Sequence, residues 1–116
     1  MNLRLPAKIE GIDFFVIVSY KIHVAQVVKT PEFEKWFQSL RDRRAKAKIL
    51  SRIDRLEDGN PGDAAPVGEG ISEMRIHFGP GYRVYYKQDR DIVLLWGGDK
   101  STQAKDIEKA KQLANP

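Results

Sequence analysis

Two helices are predicted by apolar positions that recur with a helical period in the first half of the chain. The first repeat follows i, i+3, i+4 and i+7 spacing and comprises Phe33, Trp36, Phe37 and Leu40. Thr30 can cap this helix, and Pro31 suits its first position. The second repeat runs from about Arg43 to Asp58, with the apolar residues Ala45, Ile49, Ile53 and Leu56. The short connection between the repeats predicts two adjacent antiparallel helices.

Strands are predicted where apolar residues alternate or form short runs. HVAQVVK, residues 23–29, alternates well enough to be a strand before the first helix. After a Gly- and Pro-containing loop over residues 59–70, three strands follow in succession: Ile71–Phe78, Tyr82–Lys87 and Asp91–Trp96. Gly97 and Gly98 are expected to end the last of them.

A third helix is predicted at the C-terminal end of the chain. Its apolar stripe consists of Ala104, Ile107, Ala110 and Ala114, and Asp99 or Ser101 can cap it. The resulting order of elements is β-α-α-β-β-β-α. This order predicts an α+β fold, in which a small twisted antiparallel-dominated sheet has helices packed on one face and the other face partly open.

The first 21 residues are the hardest to interpret. Residues 12–18, IDFFVIV, suit an extra strand or a short helix, and residues 1–11 suit a mobile arm. The apolar run is far shorter than the roughly 20 residues that span a bilayer, and it contains Asp13 with no small-residue cleavage site after it. We therefore expect neither a membrane anchor nor a signal peptide, but an N-terminal extension over residues 1–21 and a single domain over residues 22–116.

The composition is that of one globular domain with a mildly basic surface. The chain has 116 residues, 41% of them hydrophobic, which is enough for a single core. Twenty Lys and Arg against 16 Asp and Glu give a net charge of +4, which favours a polyanionic partner such as nucleic acid. The absence of cysteine excludes disulfides, zinc thiolate sites and cysteine nucleophiles, and it fits the cytoplasm.

The predicted hairpin EMRIHFGPGYRVYYK, residues 73–87, has an unusual polar side. Because side chains alternate along a strand, this side carries Arg75, His77, Arg83, Tyr85 and Lys87, with Glu73 as its only acid. The plain interpretation is the solvated outer face of a sheet. Arginine, however, matches phosphate with its planar fork, and Tyr85 could stack on a base. The polar side of the second helix extends the patch with Lys46, Lys48, Arg52 and Arg55.

The sequence lacks the motifs of several kinds of catalytic site. His23 and His77 lie far apart without ligand spacing, and neither a P-loop nor a Ser-His-Asp arrangement can be assembled. We therefore expect no metal and no cofactor. The hairpin does contain the groups for a metal-free phosphoryl reaction, since arginines can stabilise charge on phosphate and His, Tyr or Lys can transfer protons.

The chain resembles the addiction-module killer proteins, the phage Gp49-like and HigB-like branch of the RelE/ParE toxin superfamily. Three segments carry the resemblance, in chain order FEKWFQSLRDRRAKAKILSRIDRLEDGNPGD, ISEMRIHFGPGYRVYYK and LLWGGDKSTQAKDIEKAKQLA. The resemblance as a whole extends over about Val24 to Ala114. The resemblance implies a small sheet with helices on one side, and it implies the toxin of a type II toxin–antitoxin pair, with residues 22–116 as the toxin domain.

By the same resemblance, the toxin is a ribosome-dependent mRNA endoribonuclease that inhibits translation without a metal. A 2′-hydroxyl attacks the adjacent phosphate and leaves a cyclic phosphate. Motif by motif, Arg75 and Arg83 are the first catalytic candidates and Lys100 is the next. The chain ends KAKQLANP and lacks the tyrosine that RelE has there, so the base and acid stay unassigned among His77, Tyr85 and Lys87.

The partners implied by the resemblance are a small helix-turn-helix antitoxin and mRNA on the ribosome. Operator DNA would be reached only through the antitoxin, and no membrane is involved. A rival from another class stays open, namely a ParE-like toxin that binds a protein target such as gyrase and performs no chemistry. Fold cannot separate the two, whereas proton-transfer groups beside the arginines favour the nuclease.

Overall fold

The computed structural model describes residues 25–116, together with the backbone of residues 8–9 and 12–13. Lys8–Ile9 (β1) pairs antiparallel with Ile12–Asp13 (β2), so the first two of residues 12–18, for which a strand and a short helix were both open, form a strand. The rest of the predicted N-terminal extension lies outside the described residues, as do the first two residues of the strand predicted over 23–29. In the described part of the chain, no helix is both long and apolar enough to cross a membrane.

The main sheet has five strands in the order β3-β7-β6-β5-β4. Their bounds are Val27–Lys29 (β3), Ala64–Gly68 (β4), Ile71–Ile76 (β5), Tyr82–Gln88 (β6) and Ile92–Asp99 (β7). Only the β3–β7 pair is parallel, and the other three pairs are antiparallel. The predicted α+β class with an antiparallel-dominated sheet is therefore confirmed.

The edge strand β4 corrects the prediction of a continuous loop over residues 59–70. Ala64 pairs with Met74 of β5, and the register shifts between Pro66 and Gly68. The segment AAPVG gives little sign of a strand, because it does not alternate and because proline, which lacks an N–H donor, is tolerated only at a sheet edge or bulge. The observed order in the main domain is accordingly β-α-α-β-β-β-β-α.

Helices α1 (Pro31–Ser39) and α2 (Arg43–Glu57) confirm the first two predicted helices. The Thr30 side chain accepts a hydrogen bond from the Phe33 amide at the start of α1, and Asp42 caps α2 in the same way. Their apolar sides cover one face of the sheet. The buried residues of this core are Phe33, Ile49, Ile53, Leu56, Met74, Ile76, Val84, Tyr86, Ile92 and Leu94.

The third helix, α3 (Gln103–Ala114), packs against the other face of the sheet, after a 3₁₀ turn over Lys100–Thr102. This second core contains Ile71, Tyr85, Leu95 and Ala110. A β-bulge in β7 adds Leu95 to this second core. Tyr85 pairs with Trp96 and Tyr86 pairs with Leu94, so Leu95 is an extra residue between them and points away from the first core. The expectation that all helices lie on one face is corrected, because α3 covers part of the face predicted to be open.

Two glycines of β7 allow helices to approach both faces of the sheet. A Cβ on Gly97 would lie 2.1 Å from the Trp36 ring of α1, and a Cβ on Gly98 would lie 1.9 Å from the Asp106 carboxylate of α3. Neither distance is possible for a real side chain. The prediction that this glycine pair ends the strand is therefore wrong, since β7 continues through it to Asp99.

Candidate nucleic-acid interface and catalytic site

Strand pairing brings two of the predicted catalytic residues face to face. Arg75 of β5 is the direct cross-strand partner of Arg83 of β6, and Glu73 is the partner of Tyr85. Directly opposed residues on one face lie close enough for their side chains to interact. The four side chains thus form a compact block on the face that α3 partly covers.

The Glu73 carboxylate lies at the centre of this block and is fully buried. Arg75 Nε donates to it at 3.0 Å, the Tyr85 hydroxyl at 3.0 Å, and Gln103 Nε2 at 2.8 and 3.1 Å, while Arg83 Nε lies 3.8 Å away. We call this set the Glu73 cluster. Burial alone would raise the pKa of Glu73, but the bonds from Gln103, Arg75 and Tyr85 and the charge of Arg83 outweigh it and leave the pKa below its ordinary value. Glu73 is therefore a carboxylate at neutral pH.

Tyr85 is fully buried beneath α3, which corrects the expectation that it lies on an open face. A buried ring cannot stack on a base. Burial, and next to it the charge and hydrogen bond of Glu73, raise the pKa of Tyr85 well above its ordinary value, so the phenol keeps its proton. Tyr85 is therefore better placed to hydrogen-bond to Glu73 than to transfer a proton to a substrate.

The two arginines differ in access. The Arg75 side chain is 35% exposed and that of Arg83 only 9%. Arg83 Nη1 donates to the Gly81 carbonyl at 3.4 Å, whereas its buried Nε has no hydrogen-bond partner among the described residues. Lys100 lies beside the same turn, with its Cβ 3.5 Å from the place where a Cβ on Gly81 would stand. Arg75, Arg83 and Lys100 therefore lie at one end of the sheet.

Asp63 and Gln103 belong to the site but were not singled out from the sequence. Gln103 is the first residue of α3 and reaches Glu73 across the sheet face. Asp63 precedes β4 and contacts two predicted site residues, with Oδ2 2.5 Å from His77 Nε2 and Oδ1 3.6 Å from Arg75 Nη1. Both are distant in sequence from the hairpin. Only the i, i+2 spacing of Glu73 and Arg75 on one face could have indicated a carboxylate–arginine pair.

A groove of about 210 Å³ runs between α2 and the end of β5. It is lined by Lys48, Ser51, Arg52, Arg55, Ile76 and His77, and we call it the basic groove. It combines three of the four cations predicted on α2 with His77. A groove with this charge suits a phosphate group.

Arg52 is built into the wall of the basic groove. Its guanidinium donates to the carbonyl oxygens of Arg75, Pro61 and Asp63, at 2.5, 3.0 and 3.3 Å. It therefore holds the chain before β4 against the end of β5. Arg52 was predicted as an RNA-binding residue on the polar side of α2, which stays a prediction; the structure shows its guanidinium connecting two backbone segments.

Two of the predicted RNA-binding residues lie outside the groove lining. Lys46 Nζ stands 5.3 Å from the centre of the Phe37 ring, on the side of α2 that faces α1. Lys87 pairs with Ile71, at the opposite end of the β5–β6 hairpin from His77. The structure does not bring Lys87 together with the other candidates. In the part of the chain that is described, no three His, Asp or Glu side chains converge in the way a metal site would need.

Comparison with known proteins agrees with the resemblance seen in the sequence. The family described as "Phage derived protein Gp49-like (DUF891)" matches residues 35–115, which include the Glu73 cluster and the basic groove. The chain belongs to this Gp49-like family. An uncharacterized protein of Haemophilus influenzae is 53% identical over 91 residues, covering 77% of this chain and 92% of that protein.

Membership of the Gp49-like family confirms the predicted relationship at that level. The family is one of toxin–antitoxin toxins. Assignment to the HigB or RelE branch in particular stays a prediction, as does the division of the chain at residue 22.

Proposed function

We propose that this Gp49-like protein is the toxin of a type II toxin–antitoxin module and that it cleaves mRNA on the ribosome. The family supports the role of toxin, with an antitoxin as the partner. The nuclease activity, the ribosome and the helix-turn-helix character of the antitoxin are our inference from the site and from the sequence resemblance.

The chief support for RNA cleavage is that the basic groove and the arginine pair meet at one end of the sheet. Arg52 of the groove donates to the backbone carbonyl of Arg75, and His77 of the groove shares Asp63 with the Arg75 side chain. Arg75 does not line the groove, but an RNA strand that continues from the groove past His77 and Asp63 would reach its guanidinium. Lys48 and Arg55, both exposed on α2, can hold neighbouring phosphates.

The arginines at this end of the sheet can stabilise the negative charge that develops in the reaction. A ribose 2′-oxygen that attacks the adjacent phosphorus creates extra negative charge on the phosphate oxygens. Arg75, which is accessible, can donate to those oxygens, and Arg83 behind it adds a second positive charge. Glu73 holds Arg75 by its Nε and Asp63 lies 3.6 Å from its Nη1, so Nη2 is the guanidinium nitrogen that can turn to the substrate.

One observation favours a ParE-like toxin that binds a protein target without chemistry. Tyr85 and Glu73, the proton-transfer groups nearest to the arginines, are both buried and bonded to each other. A toxin that uses this end of the sheet only as a binding surface would need no proton-transfer group there. The target, whether mRNA or a topoisomerase, is therefore what the experiment has to decide.

The test is translation-dependent mRNA cleavage in a cell extract by wild type, Arg75→Ala and Arg83→Ala. Loss of a donor used mainly in the transition state typically lowers the rate by about 10²–10³. Arg75→Lys should rescue poorly, because an ammonium group cannot reproduce the fork of the guanidinium. Arg41→Ala, at an exposed arginine between α1 and α2, is the matched control and should cleave like wild type.

The same proteins should be tested for growth inhibition and for poisoning of gyrase. Wild type that stops growth and cuts mRNA, with both activities lost in Arg75→Ala, supports the nuclease. Wild type that stops growth, leaves mRNA intact and poisons gyrase would establish the ParE-like function instead.

A further inference from the structure

The Asp63–His77 pair is the best-formed arrangement for proton transfer at the surface of the described residues. His77 Nε2 lies 2.5 Å from Asp63 Oδ2, and the His77 side chain is 71% exposed. His77 is one of the residues that line the basic groove. A carboxylate behind an accessible imidazole is the arrangement that orients a histidine as a general base.

Asp63 is held in place from several directions. Its backbone carbonyl accepts hydrogen bonds from the Arg75 amide at 2.9 Å and from Arg52 at 3.3 Å, and its Oδ1 lies 3.6 Å from Arg75 Nη1. The hydrogen bond of His77, together with the charge of Arg75, holds the pKa of Asp63 below its ordinary value. Asp63 is therefore ionised at neutral pH and remains an acceptor for the imidazole.

The bond to Asp63 determines which nitrogen of His77 can act as a base. An ionised carboxylate only accepts, so in the neutral ring Nε2 carries the proton and Nδ1 carries the lone pair. The charged groups around the ring are Asp63 before β4, Arg75 of β5, and Lys48, Arg52 and Arg55 of α2. The cations attract the phosphate, while Asp63 orients the ring.

We propose that His77 is a catalytic residue that accepts the proton of a ribose 2′-hydroxyl through Nδ1, and that Asp63 is its positioning residue. The substrate class is single-stranded RNA with its phosphodiester in the basic groove. This role rests on the proposed nuclease function and gives it the general base that the Glu73 cluster does not supply.

The step conserves atoms and charge. As His77 takes the proton, the 2′-oxygen forms a bond to phosphorus and the bond from phosphorus to the 5′-oxygen breaks. The 5′-oxygen leaves with a proton from water, which becomes a hydroxide ion. The imidazolium returns its proton to that hydroxide, and the products are a 2′,3′-cyclic phosphate and a 5′-hydroxyl.

The first experiment measures single-turnover cleavage of an mRNA on purified ribosomes as a function of pH. His77→Ala should lose about 10²–10⁴-fold in rate, the usual contribution of general acid–base catalysis. Added imidazole should restore part of this rate. Cleavage by His77→Ala at the wild-type rate would overturn the assignment.

Asp63→Asn separates a positioning role from a merely structural one. Without the carboxylate, the amide that replaces it can either accept a hydrogen bond from the ring or donate one to it, so the nitrogen-15 spectrum should show both neutral forms of the His77 ring, and the cleavage rate should fall by less than in His77→Ala. Imidazole should not rescue this variant, because its own ring is still present. Asp89→Asn, at the far end of the sheet, is the matched control and should keep the wild-type rate and the wild-type ring spectrum. An unchanged rate and an unchanged ring spectrum in Asp63→Asn would contradict the role of Asp63.

A second measurement does not depend on cleavage, so that failure of the nuclease function and failure of the pair can be told apart. Nitrogen-15 spectra of the histidine rings, assigned with His77→Asn, should show His77 protonated at Nε2. Titration with a 2′-deoxy-substituted RNA oligonucleotide, which cannot be cleaved, should shift the Nδ1 signal. Protonation at Nδ1, or a His77 signal that RNA does not move, would overturn the proposal. If the wild-type protein binds this RNA through His77 but cuts no mRNA, the nuclease function and the role of His77 as a base are both refuted. The basic groove would then be an RNA-binding site without catalysis.

Discussion

Replacement of Glu73 by alanine should be the most destabilising single change in the candidate site. The substitution leaves Arg75, Tyr85 and Gln103 without their shared acceptor and Arg83 without the opposite charge beside it, and Tyr85 and Arg83 remain buried. Removal of one partner from a buried charge pair costs about 3–5 kcal/mol. That is a large part of the 5–15 kcal/mol by which small domains are stable, and it corresponds to a melting temperature roughly 12–20 °C lower.

The assay is urea unfolding of wild type, Glu73→Ala and Glu73→Gln at neutral pH and in acid. Glu73→Gln keeps the shape of the side chain but removes the charge, so its loss should be smaller than that of alanine. Because the folded-state pKa of Glu73 is lowered, the stabilisation by its charge is complete above the ordinary value near 4.3 and is lost as pH falls through the folded-state value. The difference between wild type and Glu73→Gln should therefore shrink in acid.

Glu57→Ala is the control, because Glu57 is an exposed carboxylate at the end of α2. It should change the free energy of unfolding by no more than about 0.5 kcal/mol. A Glu73→Ala protein as stable as this control would refute the reasoning, since a fully buried carboxylate with this many donors cannot be removed without effect. A difference between wild type and Glu73→Gln that stays constant into strong acid would show that packing, and not charge, is responsible.

Two further predictions concern residues that the structure shows to be part of the framework. Arg52→Ala should lower the free energy of unfolding by about 2–3 kcal/mol, because its guanidinium holds three backbone carbonyls, whereas Lys48→Ala should be close to neutral in urea unfolding. An Arg52→Ala protein as stable as Lys48→Ala would contradict this. Gly98→Ala should lower stability by about 1–3 kcal/mol, because its Cβ would stand 1.9 Å from Asp106, which must move away from Trp96 and Thr102. An unchanged melting temperature would show that α3 can shift without cost.

Local patterns in the sequence predicted most of the secondary structure. The helical spacing of Phe33, Trp36 and Phe37 and the Thr30 cap were sufficient for α1, because caps and amphipathic faces are defined within a few residues. Alternation along residues 71–87 predicted that Arg75 and Arg83 lie on one side of a hairpin, and the observed register pairs them directly. The pairing of the two arginines on which the proposed function depends could therefore be predicted before any fold was known.

The tertiary structure decided which of those polar residues are accessible. Alternation says that Tyr85 and Arg75 share a face, but not that α3 covers the part of that face where Tyr85 lies. Whether α3 docks there depends on the extra residue Leu95 and on Gly98, which matter only when sheet and helix meet. The contacts of Asp63 with His77 and of Gln103 with Glu73 likewise join residues 14 and 30 positions apart. Such contacts depend on the packing of whole elements, so sequence periodicity could indicate the arginines and Glu73 but not Asp63 and Gln103.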